Sequence, residues 1–163
     1  MRRLVLFAVL ACALTLPTIG LASGDGSTDG TLSVRNAQAK ILLKPFNGSA
    51  FGRVARGRIV VADPVFDDGA GPVFWGCENT DGNDVTTFCS GRNIRFRAVG
   101  GSYTIFIVGS GISLSAVGRG TARLDGRGED PEDNDGVFSV NDSAYRSLPN
   151  APRTFLLTVT TGD

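Results

Sequence analysis

The chain has 163 residues, with 16 basic and 16 acidic side chains, 22 glycines and no histidine. Histidine is the commonest general base and the commonest metal ligand, so its absence excludes a Ser-His-Asp triad. The balanced charge provides no net attraction to nucleic acid or to an anionic membrane surface, and we expect neither as a partner.

The first 22 residues have the pattern of a secretory signal peptide. A basic start at residues 2 and 3 precedes an apolar run that extends to Leu16, and small residues before Ser23 form a cleavage site. Two alternatives remain open: an uncleaved membrane anchor, or a lipid on Cys12. With cleavage, 14 basic residues remain against 16 acidic ones, a net charge of about −2. We therefore expect a secreted or extracytoplasmic protein that does not span the membrane.

A polar, glycine-rich leader over residues 23–30, which we expect to be disordered, is followed by strand patterns, without any capped helical period. Residues 93–99 alternate most clearly, with Ile94, Phe96 and Ala98 facing inward and Arg95 and Arg97 facing outward. The expected strands cover residues 31–43, 52–62, 93–99, 102–108, 112–124, 137–140 and 154–160. Together they predict a single all-β domain over residues 31–163.

The breaks between these strands predict how the sheet is connected. A change of phase at Arg35 and Asn36 indicates a bulge or a bend. Residues 100–101 and 109–111 have the composition and spacing of hairpin turns. Residues 102–108 are apolar on both faces, which predicts a strand that is covered on two sides. Short strands separated by turns favour an antiparallel β-sandwich, and a partly closed β-barrel is the alternative.

Cleavage of the signal peptide leaves Cys77 and Cys89 as the only cysteines. Export makes a disulfide between them the default expectation. Closing this short loop stabilises the fold by about 3 kcal/mol. We interpret the bond as a staple across a long hairpin loop, because the spacing is far from the C-x-x-C of a redox pair. Two cysteines without histidine also exclude an ordinary structural zinc site.

Three loops concentrate acidic residues. The first holds Asp63, Asp67 and Asp68; the second, inside the cysteine loop, holds Glu78, Asp81, Asn83 and Asp84; the third covers residues 129–135. The second loop offers oxygen ligands around a glycine turn, and calcium is the only cofactor that the sequence suggests. The loop lacks the spaced ligand pattern of a twelve-residue calcium loop. We interpret the third as a solvated hairpin extension.

Trp75 and two arginines are the other candidate binding residues. Trp75 is the only tryptophan, and we expect it to pack against the disulfide, because tryptophan is highly buried on average. The alternative is an exposed ring that stacks on a sugar. Arg95 and Arg97 share one strand face, and we expect an ordinary solvent face whose charges pair across strands with Asp and Glu. The alternative is a basic strip that binds an anionic envelope polymer.

Several short segments in the second half of the chain are similar to segments of other proteins. They are residues 91–97, 109–120, 124–126, 138–140 and 147–149. These runs resemble secreted proteins of high-GC bacteria that have no assigned activity. The resemblance implies secretion and an all-β fold, and it brings no catalytic or binding residues with it.

Three functions are compatible with these features. The first is a non-enzymatic secreted or envelope-associated protein with a structural or binding role, whose partner is a glycan or a protein of the cell envelope. The second is a glycan-binding module, calcium-assisted, that uses Trp75 and the acidic loops between residues 63 and 84. The third is a carboxylate-dependent hydrolase, which needs two acids facing each other across a cleft. No nucleophile motif such as G-x-S-x-G is present, and we expect no enzyme.

Overall fold

A computed structural model describes residues 27–65, 71–126 and 135–160. The strands are β1 (Ser27–Ala62), β2 (Val73–Gly82), β3 (Thr86–Gly126), β4 (Val137–Val140), β5 (Arg146–Ser147) and β6 (Arg153–Thr160). The described part of the chain contains no helix with the length and apolarity needed to cross a membrane. The predicted signal peptide, Asp67, Asp68 and residues 129–134 of the third acidic loop lie outside the described residues.

The two longest strands, β1 and β3, form one antiparallel ribbon. Their pairing runs from Gly30 opposite Gly118 to Ala62 opposite Thr86. The segment between these strands contains β2, which folds back and pairs with the first part of β3. The ribbon is therefore a single long hairpin with a smaller hairpin at its closed end.

This ribbon is rolled on itself, because β1 pairs with β3 along both of its edges. Arg58, for example, has Ser90 on one side and Val108 on the other, an offset of 18 residues along β3. The result is an antiparallel sheet curled into a half-barrel. The prediction of an antiparallel all-β fold is confirmed, and the curled sheet corresponds to the alternative of a partly closed barrel.

Glycine pairs lie where successive turns of the roll are closest. Gly48 is opposite Gly118, and Gly57 is opposite Gly109. All four have φ between +154° and +159°. A Cβ on Gly48 would lie 2.7 Å from the Cα of Gly118, and a Cβ on Gly109 would lie 2.9 Å from the Cα of Gly57. Only glycine fits such an approach without displacing the ladder.

The hairpin turns predicted at residues 100–101 and 109–111 are wrong. β3 continues through both segments: Gly101, Gly109 and Ser110 pair with β1, while Gly100 and Gly111 lie at shifts of the β1–β3 register. Gly101 is opposite Gly48 in the same ladder. The glycines in these segments therefore lie within a continuous strand and do not end it.

The boundaries of β1 also differ from those expected. The strand begins at Ser27, so the last part of the predicted leader is strand, and residues 27–29 pair with β6. The predicted bulge is confirmed, because the ladder shifts between Val34 and Ala37, and Asn36 has a φ of 49°. β1 then runs unbroken to Ala62.

The inner face of the curled sheet forms the hydrophobic core. The alternation of residues 93–99 is confirmed, with Ile94, Phe96 and Ala98 buried and both arginines exposed. In residues 103–108 the odd positions are buried and the even positions are half-buried. The outer side of this segment is thus only partly covered. The outer face of the neighbouring strands carries the candidate site.

Candidate functional site

Two rows of side chains cross the outer face near β2. In the first row, Trp75 is opposite Arg95, Arg95 is opposite Arg53, and Arg53 is opposite Ser113. These residues lie on four adjacent strand segments, contributed by β2, β3, β1 and β3 again. Directly opposed residues have Cβ atoms about 5 Å apart, so the side chains of the row lie next to one another on this face.

The second row lies two residues along and repeats the same order of strands. Val73 is opposite Arg97, Arg97 is opposite Phe51, and Phe51 is opposite Ser115. Phe51 is 54% exposed although it is a large apolar side chain. The two rows therefore bring two aromatic rings and three guanidinium groups onto one patch.

A groove of about 550 Å³ runs between these rows. We call it the outer groove, and its outward-facing lining consists of Phe51, Arg53, Trp75, Arg95, Arg97, Ser113 and Ser115. A further hollow beside Trp75 is lined by Asn93 and Arg95 as well. Among the described residues that line the groove, none is a carboxylate.

Trp75 does not pack inside the fold against the disulfide, and the expectation that it would is wrong. The side chain is 51% exposed. The β2–β3 ladder shifts register between Trp75 and Cys77, where Gly76 has a φ of +79° and Asn93 a φ of +54°. This irregularity turns Trp75 to the outer face while Cys77 joins the buried Cys89 on the inner side.

The predicted disulfide between Cys77 and Cys89 is present, with their Cα atoms 5.4 Å apart. It joins β2 to β3 and staples the hairpin as expected. β2 pairs with no other described strand, so this bond secures the element that carries Trp75. A disulfide also indicates an oxidising environment outside the cytoplasm.

The arginines of the groove face like charges and aromatic rings rather than carboxylates. Arg53 and Arg95 are direct cross-strand partners, and Arg97 lies between Val73 and Phe51. Among the described residues, no ion pair involves any of the three arginines. The interpretation in which Arg95 and Arg97 pair with acids across the strands is therefore wrong. Like charges placed directly opposite destabilise a sheet, so this arrangement does not serve stability.

The candidate calcium residues lie along a hairpin and its turn. Glu78 and Asp81 belong to β2, and Asn83 and Asp84 form the turn into β3. The side-chain oxygen of Asn83 accepts hydrogen bonds from the backbone N–H groups of Val85 (3.0 Å) and Thr86 (2.8 Å). Asn83 thus serves the turn. Within the described ranges, no three His, Cys, Asp or Glu side chains are grouped so as to hold a metal ion.

Asp63 lies apart from the groove, just beyond the end of β1. It is 3% exposed, and its Oδ1 accepts a hydrogen bond from the N–H of Val65 (3.2 Å). Its own N–H donates to the carbonyl of Val85 (2.7 Å). Asp63 therefore organises a turn, and the structure does not bring it together with Trp75.

The structure brings together three of the predicted site residues, Trp75, Arg95 and Arg97. Sequence reasoning did not single out Phe51, which lies just outside the expected strand over residues 52–62, or Arg53, which lies within it. It also missed β2 as a strand. The only sequence signal for these residues is the alternation of Phe51 and Arg53 with Ala50 and Gly52, which is too short to specify a partner strand.

No family model, no curated protein and no solved structure matches this chain. The resemblance to secreted bacterial proteins therefore stays an expectation, and the outer groove is the feature of the molecule from which a function can be inferred.

Proposed function

We propose that this protein is a secreted or envelope-associated binding protein without catalytic activity, and that its outer groove holds an acidic polysaccharide. The observation that carries this proposal is the exposure of Trp75 and Phe51 beside three arginines that have no carboxylate partner among the described residues. The disulfide, which indicates an oxidising compartment, supports a location outside the cytoplasm.

Each group in the groove suits a different part of such a ligand. The rings of Trp75 and Phe51 provide rigid apolar surfaces on which sugar rings stack, and the indole N–H remains available to a hydroxyl. Guanidinium groups bind carboxylates and sulfates through paired hydrogen bonds. The half-exposed hydroxyls of Ser113 and Ser115 both donate and accept hydrogen bonds. A nucleic acid fits less well, because the chain as a whole has no basic excess.

The single tryptophan provides the test, because its emission reports directly on the groove. The protein would be titrated with polygalacturonate and with fully methyl-esterified polygalacturonate, which keeps the sugar chain and removes its charge. Dextran sulfate and dextran form a second matched pair and distinguish sulfate from carboxylate. We expect the emission of Trp75 to change with the acidic member of at least one pair and not with its neutral member, and the affinity to fall as salt is added.

Two variants distinguish specific binding in the outer groove from non-specific attraction between the polymer and the protein's positive charges. Arg95→Gln removes one guanidinium from the groove and should weaken binding about tenfold. Arg153→Gln makes the same change of charge on β6, where the arginine is exposed and does not line the groove, and should leave binding unchanged. Equal losses in both variants, binding of the neutral polymers, or tighter binding of DNA or anionic lipid vesicles would each overturn the proposal.

A further inference from the structure

The second row of the outer groove continues across the sheet. Beyond Ser115, the next strand segment presents Ser33, which is directly opposite Ser115 in the β1–β3 ladder. Directly opposed residues on neighbouring strands point to the same face of a sheet. Arg97, Phe51, Ser115 and Ser33 are opposed in turn, so they form one line on the outer face. The line crosses the strands at right angles.

The far end of this line is a second aromatic and arginine pair. The hydroxyl of Ser33 lies 2.7 Å from the phenolic oxygen of Tyr145, in hydrogen-bond contact. The guanidinium of Arg35 lies over the Tyr145 ring, 4.1 Å from its centre. Tyr145 is 42% exposed, and no described ion pair involves Arg35. The pair repeats the composition of the Trp75 end, where an exposed ring lies beside Arg95.

Strand spacing sets the distance between these two ends. From β2 to the β1 segment that carries Ser33 and Arg35 there are four steps between neighbouring strands, about 19 Å in all. That is the length of several sugar units. The hydroxyls of Ser115 and Ser33 occupy the middle of the span and offer hydrogen bonds to a polar chain passing over them.

We infer that the polysaccharide site extends across five strand segments from Trp75 to Tyr145, and that it holds an internal run of several units of a linear acidic polysaccharide. This inference rests on the proposed function and specifies its ligand. Both ends carry an exposed ring on which a sugar can stack and an arginine that can bind an acidic group. The ligand's acidic groups must therefore recur along the chain.

Galacturonic acid oligomers of defined length, from two units upward, test the extent of the site through Trp75 emission. Affinity for the unaltered protein should rise with length until the oligomer spans the row and then level off. Tyr145→Ala, together with Arg35→Gln, should lower the affinity for long oligomers about tenfold and leave that for the dimer unchanged. Tyr145→Phe keeps the ring and should retain most of the affinity for long oligomers.

The outcomes separate this inference from the function on which it rests. If the dimer binds as tightly as the octamer and Arg95→Gln weakens both, the groove binds acidic sugars and the extension to Tyr145 is wrong. An equal effect of the Tyr145 and Arg35 changes at every length would also overturn the extension, because it would reflect a general disturbance of the fold. If no oligomer and neither acidic polymer changes the emission, the proposed function itself fails.

Discussion

Gly48 of β1 and Gly118 of β3 are directly opposed in the pairing that joins successive turns of the rolled ribbon. Their separation leaves no room for a side chain on either residue. A Cβ on Gly118 would lie 2.8 Å from the Cα of Gly48. Both glycines have φ near +155°, in a region that residues with a side chain rarely occupy. The contact joins two turns of the rolled ribbon.

Replacing Gly118 with alanine should lower the free energy of unfolding by more than about 2 kcal/mol, because the methyl group meets backbone and the φ becomes strained. Urea unfolding followed by circular dichroism measures this loss. Gly71→Ala is the matched control, since nothing lies within 4 Å of its Cβ position, and it should change stability by less than about 0.5 kcal/mol. Equal effects of the two changes would contradict the close approach.

The disulfide should stabilise the fold and position Trp75. Replacing both Cys77 and Cys89 with alanine should lower the free energy of unfolding by about 3 kcal/mol. The variant should also respond less to polygalacturonate, because only the β2–β3 ladder and the packing of Phe74 against Phe96 then hold β2 in place. Reductant should reproduce both effects in the unaltered protein and should do nothing to the variant. A reductant effect on the variant would show that the loss has another origin.

Because Arg53 and Arg95 are directly opposed like charges, we expect that removing one of them weakens ligand binding but stabilises the fold. Arg95→Gln should raise the free energy of unfolding by a few tenths of a kcal/mol, because it removes a like charge from a directly opposed position. The gain should shrink as salt screens the repulsion, and thermal melting at low and high salt measures it. Arg153→Gln, whose cross-strand partner is Leu124, should show no such gain. Destabilisation by Arg95→Gln at low salt would mean that the arginine stabilises the sheet.

The turn between β2 and β3 should depend on Asn83 and not on calcium. Asn83→Ala removes the acceptor for two backbone N–H groups and should cost about 1 kcal/mol. Asp84→Ala, at an exposed neighbouring position, should cost less. Melting temperatures with calcium and with EDTA should agree for all three proteins. A rise with calcium that Asp84→Ala abolishes would restore the interpretation of this hairpin as a metal site.

Local features were predictable where they depend on neighbours along the chain. The inward and outward alternation of residues 93–99 follows from the two-residue period of a strand, and the bulge at Asn36 follows from a break in that period. The disulfide follows from the two cysteines that lie outside the predicted signal peptide. Each of these needs no knowledge of the partner strand.

The glycines show where such reasoning fails. Gly91, Gly100, Gly109 and Gly118 recur every nine residues, half of the 18-residue offset between the two ladders. In the sequence, Gly109 with Gly111 predicts a hairpin turn. In the structure, Gly109 instead meets Gly57 from a distant part of the chain. Glycine is compatible with a hairpin turn and with a close approach between two strands. Which of the two forms depends on the strand that pairs with the glycine.

The composition and strand periods of this chain were sufficient to establish an antiparallel all-β fold held by one disulfide, because those features depend on local geometry and on counting. Register alone placed Arg53 beside Arg95 and brought Phe51 to the same face as Trp75. Each of these contacts joins residues that are far apart in sequence, and an offset of one position in either ladder would turn one partner to the other face. The outer groove therefore exists only once the ribbon is rolled.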